Sequence, residues 1–209
     1  MKKETPLILN VLFYGALWGF LEATLGYGLK FLPPLVSGSV MFPIGAAIML
    51  YAYQKTQSKK AILYVGLIAA SIKAVDFMLP GLPTIMTYNP MISIVLQSLA
   101  VFSLLPLLKH QKALVRVSAF VIPGLLWRIF FLGNQGLNIF LFGEVYKQIQ
   151  SLENMIDFTI LPGLLDGAVF AGLYLGSRAI FKKTTWLFRP NWAVSAAMFI
   201  MAIAATLLI

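Results

Sequence analysis

The sequence predicts an all-α fold, a polytopic transmembrane helical bundle of six to seven spans, and three observations lead to that prediction. Of the 209 residues, 60% are hydrophobic and only 11% are charged, and the mean hydropathy is +0.87. Soluble domains carry about 25% charged residues, so this chain has too little polar surface to face water on every side. Apolar runs of about 20 residues, long enough to cross a bilayer, recur along the whole chain. Helices are expected because an open strand edge in lipid leaves backbone groups unsatisfied.

The apolar runs divide the chain into seven candidate spans within one transmembrane domain, 1–209. The first run is too long for the apolar core of a signal peptide, so we expect it to be a span. Asn89 before Pro90 predicts the start of the fourth helix, and Asp157 predicts a cap on the sixth. The segment 80–83 predicts a break. The segment 134–157 predicts an outer loop with a short helix on the outer surface, which either covers a site or only connects two helices. The predicted spans are 8–31, 38–54, 61–79, 89–108, 114–133, 158–181 and 191–209.

The distribution of the sixteen Lys and Arg residues predicts the orientation. Twelve belong to one side, whereas Lys30 and Lys147 belong to the other and two lie inside spans. The positive-inside rule therefore predicts a cytoplasmic N-terminus, an outer C-terminus if the seventh span exists, and a plasma or inner membrane location. We expect the basic loops to contact anionic lipid or a cytoplasmic partner rather than nucleic acid. The twelve are Lys2, Lys3, Lys55, Lys59, Lys60, Lys109, Lys112, Arg116, Arg178, Lys182, Lys183 and Arg189.

Five ionisable residues lie inside predicted spans, where each costs at least ~2.5 kcal/mol and therefore requires a partner, water or a ligand. At about 1.5 Å per residue, all five fall in the outer half of the membrane. Four helices thus place a charge at similar depth, which predicts a polar cavity open to the outside that binds a small-molecule solute. The five are Glu22, Lys73, Asp76, Arg128 and Asp166.

The spacing of these charges predicts how they pair. Lys73 and Asp76 share a helix face, whereas Arg128 can pair across helices with Glu22 or Asp166. The five sum to one net negative charge, which predicts a spare carboxylate for a cationic or hydrogen-bonding ligand. The alternatives are ion pairs that only orient helices and side chains that reach the headgroups. Polar and aromatic residues predicted at the same level are Trp18, Tyr27, Tyr88, Asn89, Trp127, Asn134 and Gln135. Gln97 is expected to make an interhelical hydrogen bond.

Several kinds of chemistry are excluded by the residues present. The chain has no cysteine and one histidine, His110, so thiolate sites and sites with two imidazoles are ruled out. It has no serine-hydrolase elbow, zinc-protease motif or phosphate loop. We therefore predict no catalytic residue, metal site or cofactor, although acid–base catalysis by carboxylates alone stays open.

Small residues recur at every fourth position in three predicted spans, which permits close helix packing or forms a groove for a membrane partner. The rows are Gly15, Gly19 and Ala23; Gly66, Ala70 and Ala74; Gly163, Gly167 and Ala171; and Ala168, Gly172 and Gly176.

With its cytoplasmic N-terminus, basic inner loops, first-helix row of small residues and outer polar groups, the chain resembles an S component of an energy-coupling-factor vitamin transporter. The resemblance implies a bundle, usually of six spans, that binds a micronutrient near the outer face. It also implies docking to a membrane coupling subunit and two ATPases, through a small-residue motif at the position of Gly15, Gly19 and Ala23. The seventh span departs from that pattern. Two other hypotheses are a membrane enzyme acting on a lipid-linked substrate and a non-catalytic subunit of a membrane complex.

Overall fold

The regular structure of the described chain is entirely helical, as predicted. The computed structural model describes residues 6–29, 31–32, 34–143, 145–183 and 190–208, without the side chains at 34–35, 113 and 177–183. Two short 3₁₀ segments, Ala74–Met78 and Lys147–Ile149, join longer elements. The α-helices are α1 (Leu7–Leu29), α2 (Pro34–Thr56), α3 (Lys60–Lys73), α4 (Thr84–Ser103), α5 (Leu105–Leu108), α6 (Ala113–Phe142), α7 (Leu152–Lys183) and α8 (Trp192–Leu208).

Six helical segments in the described part of the chain are long and apolar enough to cross a membrane. Each overlaps one of the first six predicted spans, and the third combines α3 with the 3₁₀ turn that follows it. The seventh segment, α8, is an apolar helix of 17 residues. At about 1.5 Å per residue its length is roughly 25 Å, somewhat short of the ~30 Å apolar core of a bilayer. The chain therefore has six to seven candidate spans.

Two predicted helix starts are wrong. The fourth helix begins at Thr84, and Pro90 lies inside it. Proline removes one backbone hydrogen bond, but membrane helices tolerate that loss when neighbouring groups satisfy the freed carbonyl. The sixth span begins at Leu152, because Ser151 Oγ accepts a hydrogen bond of 3.1 Å from the Asn154 backbone N–H and caps the helix. Asp157 is therefore a helix-interior residue rather than a cap. The break predicted at 80–83 is present between the 3₁₀ turn and α4.

The predicted outer loop, 134–157, is largely helical. Helix α6 continues to Phe142, and Gly143 ends it with φ of 69° and a backbone bond of 3.1 Å to Ile139. That geometry is a left-handed helix cap, which glycine adopts without steric cost. Since α7 begins at Leu152, the connection comprises only 143–151. The apolar stretch after residue 133 extends the helix because intrahelical bonds satisfy its backbone.

The long helices pack as a closed ring. Around the ring, α1 contacts α3, α3 contacts α4, α4 contacts α6, α6 contacts α7, α7 contacts α2, and α2 contacts α1. The connections are short, so successive helices run in opposite directions. One end of the ring, here called the cavity end, therefore carries the α1–α2, α3–α4 and α6–α7 connections. The opposite end carries the α2–α3 and α4–α6 connections, where the described lysines 55, 59, 60, 109 and 112 lie.

Helix α8 packs outside the ring against α1 and runs parallel to it. Near its start, Ser195 Oγ donates a hydrogen bond of 3.1 Å to the Leu9 carbonyl. Near its end, Thr206 shares a small cavity with Ala23 and Tyr27 of α1. Helix α8 is therefore part of the bundle, and its last residues lie at the cavity end.

Small residues mediate two close helix contacts. A Cβ on Gly15 or Gly19 of α1 would overlap Ile68 or Ile72 of α3. Gly124 of α6 likewise faces the backbone of α7, and Gly163 and Gly167 of α7 face α6. The row Gly15, Gly19 and Ala23 is thus buried against α3, whereas the row Ala168, Gly172 and Gly176 lies on the exposed face of α7.

Candidate functional site: a polar cavity at one end of the bundle

A cavity of about 370 Å³ opens at the cavity end of the bundle. Its wall combines residues from five helices, α1, α2, α4, α6 and α7, with the α6–α7 connection. The volume is within the ~300–1,000 Å³ range of small-molecule sites. The polar lining residues are Glu22, Ser37, Asn89, Ser93, Gln97, Arg128, Gln135, Tyr146 and Gln148. The large apolar ones are Leu29, Leu32, Met41, Trp127, Phe131 and Phe158.

Arg128 of the wall forms a buried ion pair with Asp166 of α7, which does not itself line the cavity. Arg128 Nε and Nη2 donate to the two carboxylate oxygens of Asp166 at 2.9 and 3.3 Å, and both side chains are fully buried. Trp127 Nε1 donates a third hydrogen bond, of 2.9 Å, to Asp166. This bidentate geometry fixes the planar guanidinium and compensates its charge. The predicted cross-helix pairing of Arg128 is therefore present, and its partner is Asp166.

Two further contacts of Arg128 connect three helices. Its Nη1 donates to the Phe158 carbonyl at 2.9 Å and its Nη2 donates to Ser39 Oγ of α2 at 2.8 Å. The Phe158 carbonyl is open because Pro162, four residues later, has no N–H to donate to it. The guanidinium also lies 4.7 and 4.9 Å from the ring centroids of Trp127 and Phe158. Arg128 thus orients α2, α6 and α7 around the cavity.

Glu22 lies on the α1 side of the cavity, one turn from Trp18. The Trp18 indole Nε1 donates to Glu22 Oε1 at 3.3 Å, and Trp18 itself is fully buried. Gly45 of α2 permits this arrangement, because a Cβ there would overlap the indole. The carboxylate is half-buried and lines the cavity. Trp18 is therefore a residue that positions Glu22.

Helix α4 contributes a polar stripe with a spacing of four residues, Asn89, Ser93 and Gln97, all in the cavity wall. Gln97 was predicted to bond another helix, but its Nε2 donates to Ser93 Oγ, 3.0 Å away on its own helix. Its Oε1 is buried and has no hydrogen-bond partner. Sequence reasoning missed Gln97 as a site residue, although the stripe in an apolar span was a usable signal.

The cavity mouth has a network of amides between α4 and α6. Asn89 Oδ1 accepts hydrogen bonds from Asn138 Nδ2 at 2.8 Å and from Asn134 Nδ2 at 3.3 Å. Tyr88 donates to Asn134 Oδ1 at 3.3 Å, and Asn138 Nδ2 lies 3.4 Å from Gln135 Oε1. Tyr88 and Asn134 therefore support the lining residues Asn89 and Gln135. Sequence reasoning missed Asn138 and the two residues of the connection, Tyr146 and Gln148.

Lys73 and Asp76 do not line this cavity. They form the predicted local pair, with an N–O distance of 2.5 Å, and both are buried. They lie in a second cavity of about 70 Å³, together with Tyr27 of α1 and Thr206 of α8. The five charges predicted at similar depth therefore do not line one cavity, because Lys73 and Asp76 approach a different face of α1 from the face that carries Glu22.

The exterior of the bundle is apolar at many positions. Phe140 is 88% exposed, and large apolar side chains of α6, α7 and α8 are also exposed along their lengths. A water-soluble monomer rarely exposes apolar surface of this extent, whereas lipid covers it without cost. The exterior and the six apolar spans define a multi-pass α-helical membrane protein. Comparisons with protein-family models, curated proteins and solved structures find no match.

Proposed function

We propose that this protein binds a small polar solute in the cavity, as a transporter or as the solute-binding subunit of one. The observation that supports this most is Gln97 Oε1, which is buried, lacks a partner and belongs to the cavity wall. A buried acceptor without a partner costs about 1–3 kcal/mol. A ligand that donates a hydrogen bond there removes that cost.

The composition of the wall also favours a solute site over a packing defect. Packing defects in helical bundles are lined by apolar side chains and stay dry. Here nine polar residues from several helices converge on one space, among them Glu22 of α1 and Arg128 of α6. Each such residue in a membrane span is costly, and convergence on a water-filled space is the usual reason that it persists.

The charge distribution favours capture from outside the cell. The cavity is at the end of the bundle opposite the described basic loops. Under the positive-inside rule those loops face the cytoplasm and contact anionic lipid, so the cavity faces outward. Tyr146 and Gln148 of the α6–α7 connection then cover part of its outer mouth.

A coupling subunit with ATPases, as in the S components that the sequence resembles, is one energy source for such a protein. The row Gly15, Gly19 and Ala23 is buried against α3, so a docking partner would have to use a different surface. The hypothesis of a two-carboxylate membrane enzyme has less support. Asp166 is bonded to Arg128 and Trp127 and does not line the cavity, so Glu22 is the one acidic residue among the described lining residues.

The direct test is to purify the protein in mild detergent and identify bound molecules by native mass spectrometry and extraction. We expect a small polar solute that raises the melting temperature and is lost in Gln97→Leu. The matched control is Gln54→Leu, because Gln54 bonds Tyr174 Oη at 2.8 Å away from the cavity. A bound lipid or lipid product would favour the enzyme, and a partner protein without a solute would favour the subunit hypothesis.

A further inference from the structure

The hydrogen-bonding groups of the cavity wall differ in what they leave open to a ligand. Arg128 makes four hydrogen bonds to other parts of the protein, and the Trp127 indole bonds Asp166, so these donors are already engaged. Gln97 Oε1, in contrast, is buried in the wall and has no hydrogen-bond partner. An amide oxygen only accepts hydrogen bonds, so a complementary ligand places a donor at this atom.

The Ser93 hydroxyl lies beside that acceptor and supplies a donor. Both residues line the cavity from α4, and Gln97 Nε2 donates to Ser93 Oγ at 3.0 Å. A hydroxyl that accepts this bond still has its own hydrogen to donate. Ser98 and Ser103 use theirs on carbonyls of α4, whereas within the described part of the chain Ser93 donates no hydrogen bond. The α4 wall therefore offers an acceptor and a donor as neighbours.

An aromatic surface lines the same cavity and sets the body of the ligand. The rings of Trp127, Phe131 and Phe158 have centroids 6.1 to 6.3 Å apart, so they contact one another and form one continuous surface. Flat ring systems pack favourably against such a surface. At about 30 Å³ per water, the 370 Å³ space holds roughly a dozen water molecules. The space therefore suits a small flat molecule, not a lipid chain or a peptide.

We infer that the cavity selects a cyclic amide, a small flat molecule whose ring carries an N–H group directly beside a carbonyl group. The N–H donates to Gln97 Oε1, the carbonyl oxygen accepts from the Ser93 hydroxyl, and the ring packs against the aromatic surface. A ring holds both groups on one edge, whereas the trans geometry of an open-chain secondary amide points them in opposite directions. This inference rests on the proposed function and gives it a substrate class.

The experiment compares three neutral bicyclic probes: 2-quinolinone has an N–H beside a carbonyl, coumarin has a ring oxygen in place of that N–H, and indole has an N–H without a carbonyl. Binding to the purified protein in lipid nanodiscs is measured by calorimetry and by the shift in melting temperature, with empty nanodiscs as the blank. We expect 2-quinolinone to bind roughly 10- to 100-fold more tightly than coumarin, which leaves Gln97 Oε1 without a donor. Indole should bind with intermediate affinity, because it donates to Gln97 but accepts nothing from Ser93.

Variants of α4 identify the source of that selectivity. Gln97→Leu is expected to bring the affinity of 2-quinolinone to that of coumarin, and Ser93→Ala to bring it to that of indole. Ser103→Ala removes a hydroxyl that bonds the Ala100 carbonyl at the opposite end of α4, and it should leave both ratios unchanged. Unchanged selectivity in Gln97→Leu, or equal binding of 2-quinolinone and coumarin by the native protein, overturns the inference.

The failure of this inference and that of the proposed function have different results. If a molecule without an N–H beside a carbonyl co-purifies and Gln97→Leu removes it, the protein binds a solute but the cyclic-amide class is wrong. If none of the probes binds up to millimolar concentration and no solute co-purifies, both are wrong.

Discussion

Two polar groups of the cavity wall, the Arg128 guanidinium and the Gln97 amide, differ in how far the protein satisfies them. On the α6–α7 side, Arg128 and Asp166 satisfy each other, and a backbone carbonyl freed by Pro162 accepts a further bond. On α4, the buried Oε1 of Gln97 has no hydrogen-bond partner. The first arrangement is complete without a ligand, and the second is not. A polar residue inside the membrane is therefore not by itself a candidate binding residue. It becomes one when the protein leaves one of its hydrogen-bonding atoms without a partner.

The largest expected loss of stability is at the buried ion pair. Arg128→Met leaves Asp166 buried without its partner, and loss of one member of a buried ion pair costs about 3–5 kcal/mol. We expect the free energy of unfolding, measured by denaturant titration in detergent, to fall by that amount. The double variant Arg128→Met, Asp166→Leu should recover a substantial part of it. A single variant as stable as the native protein would show that the pair does not hold α6 to α7.

Smaller losses are expected where glycine permits close packing. Gly15→Ala introduces a Cβ that would lie 2.6 Å from Ile68 Cβ, and such overpacking costs about 1–3 kcal/mol. Gly172→Ala, on the exposed face of α7, meets no neighbouring atom and should change stability little. The same unfolding measurement compares the two. If Gly172→Ala is the more destabilising, the α1–α3 contact is misplaced.

The smallest expected effect is at Gln97, where a substitution should stabilise the protein rather than destabilise it. Gln97→Leu removes a buried oxygen without a partner, so the ligand-free protein should be stabilised by up to about 1 kcal/mol or be unchanged. Gln54→Leu, which loses a completed bond to Tyr174, should cost about 0.5–1.5 kcal/mol. Denaturant titration of ligand-free protein measures both. Strong destabilisation by Gln97→Leu would make Gln97 a structural residue like Arg128.

The fold class and the local pairing of Lys73 with Asp76 could be predicted from the sequence, since both follow from hydropathy and helical spacing. The helix starts could not, because Ser151 competes with Asp157 as a cap and a membrane helix accepts Pro90 in its interior. The depth of the charged residues in the membrane was also insufficient to predict which of them share a cavity. Residues at similar depth can face different sides of α1, and only the packing of α8 and α3 around α1 separates Lys73 from Glu22.

The most direct measurement of the central claim uses the absence of cysteine from the chain. Ser93→Cys places a single thiol in the cavity wall, and membrane-impermeant cationic and anionic thiosulfonates are applied to the outside of intact cells. Ser103→Cys, exposed at the opposite end of α4, is the matched control. We predict that the cavity thiol reacts with these reagents from outside and that the control reacts only in inverted membranes. A cavity thiol that reacts only in inverted membranes, or that reacts with neither reagent from either side, would contradict an outward-facing solute cavity.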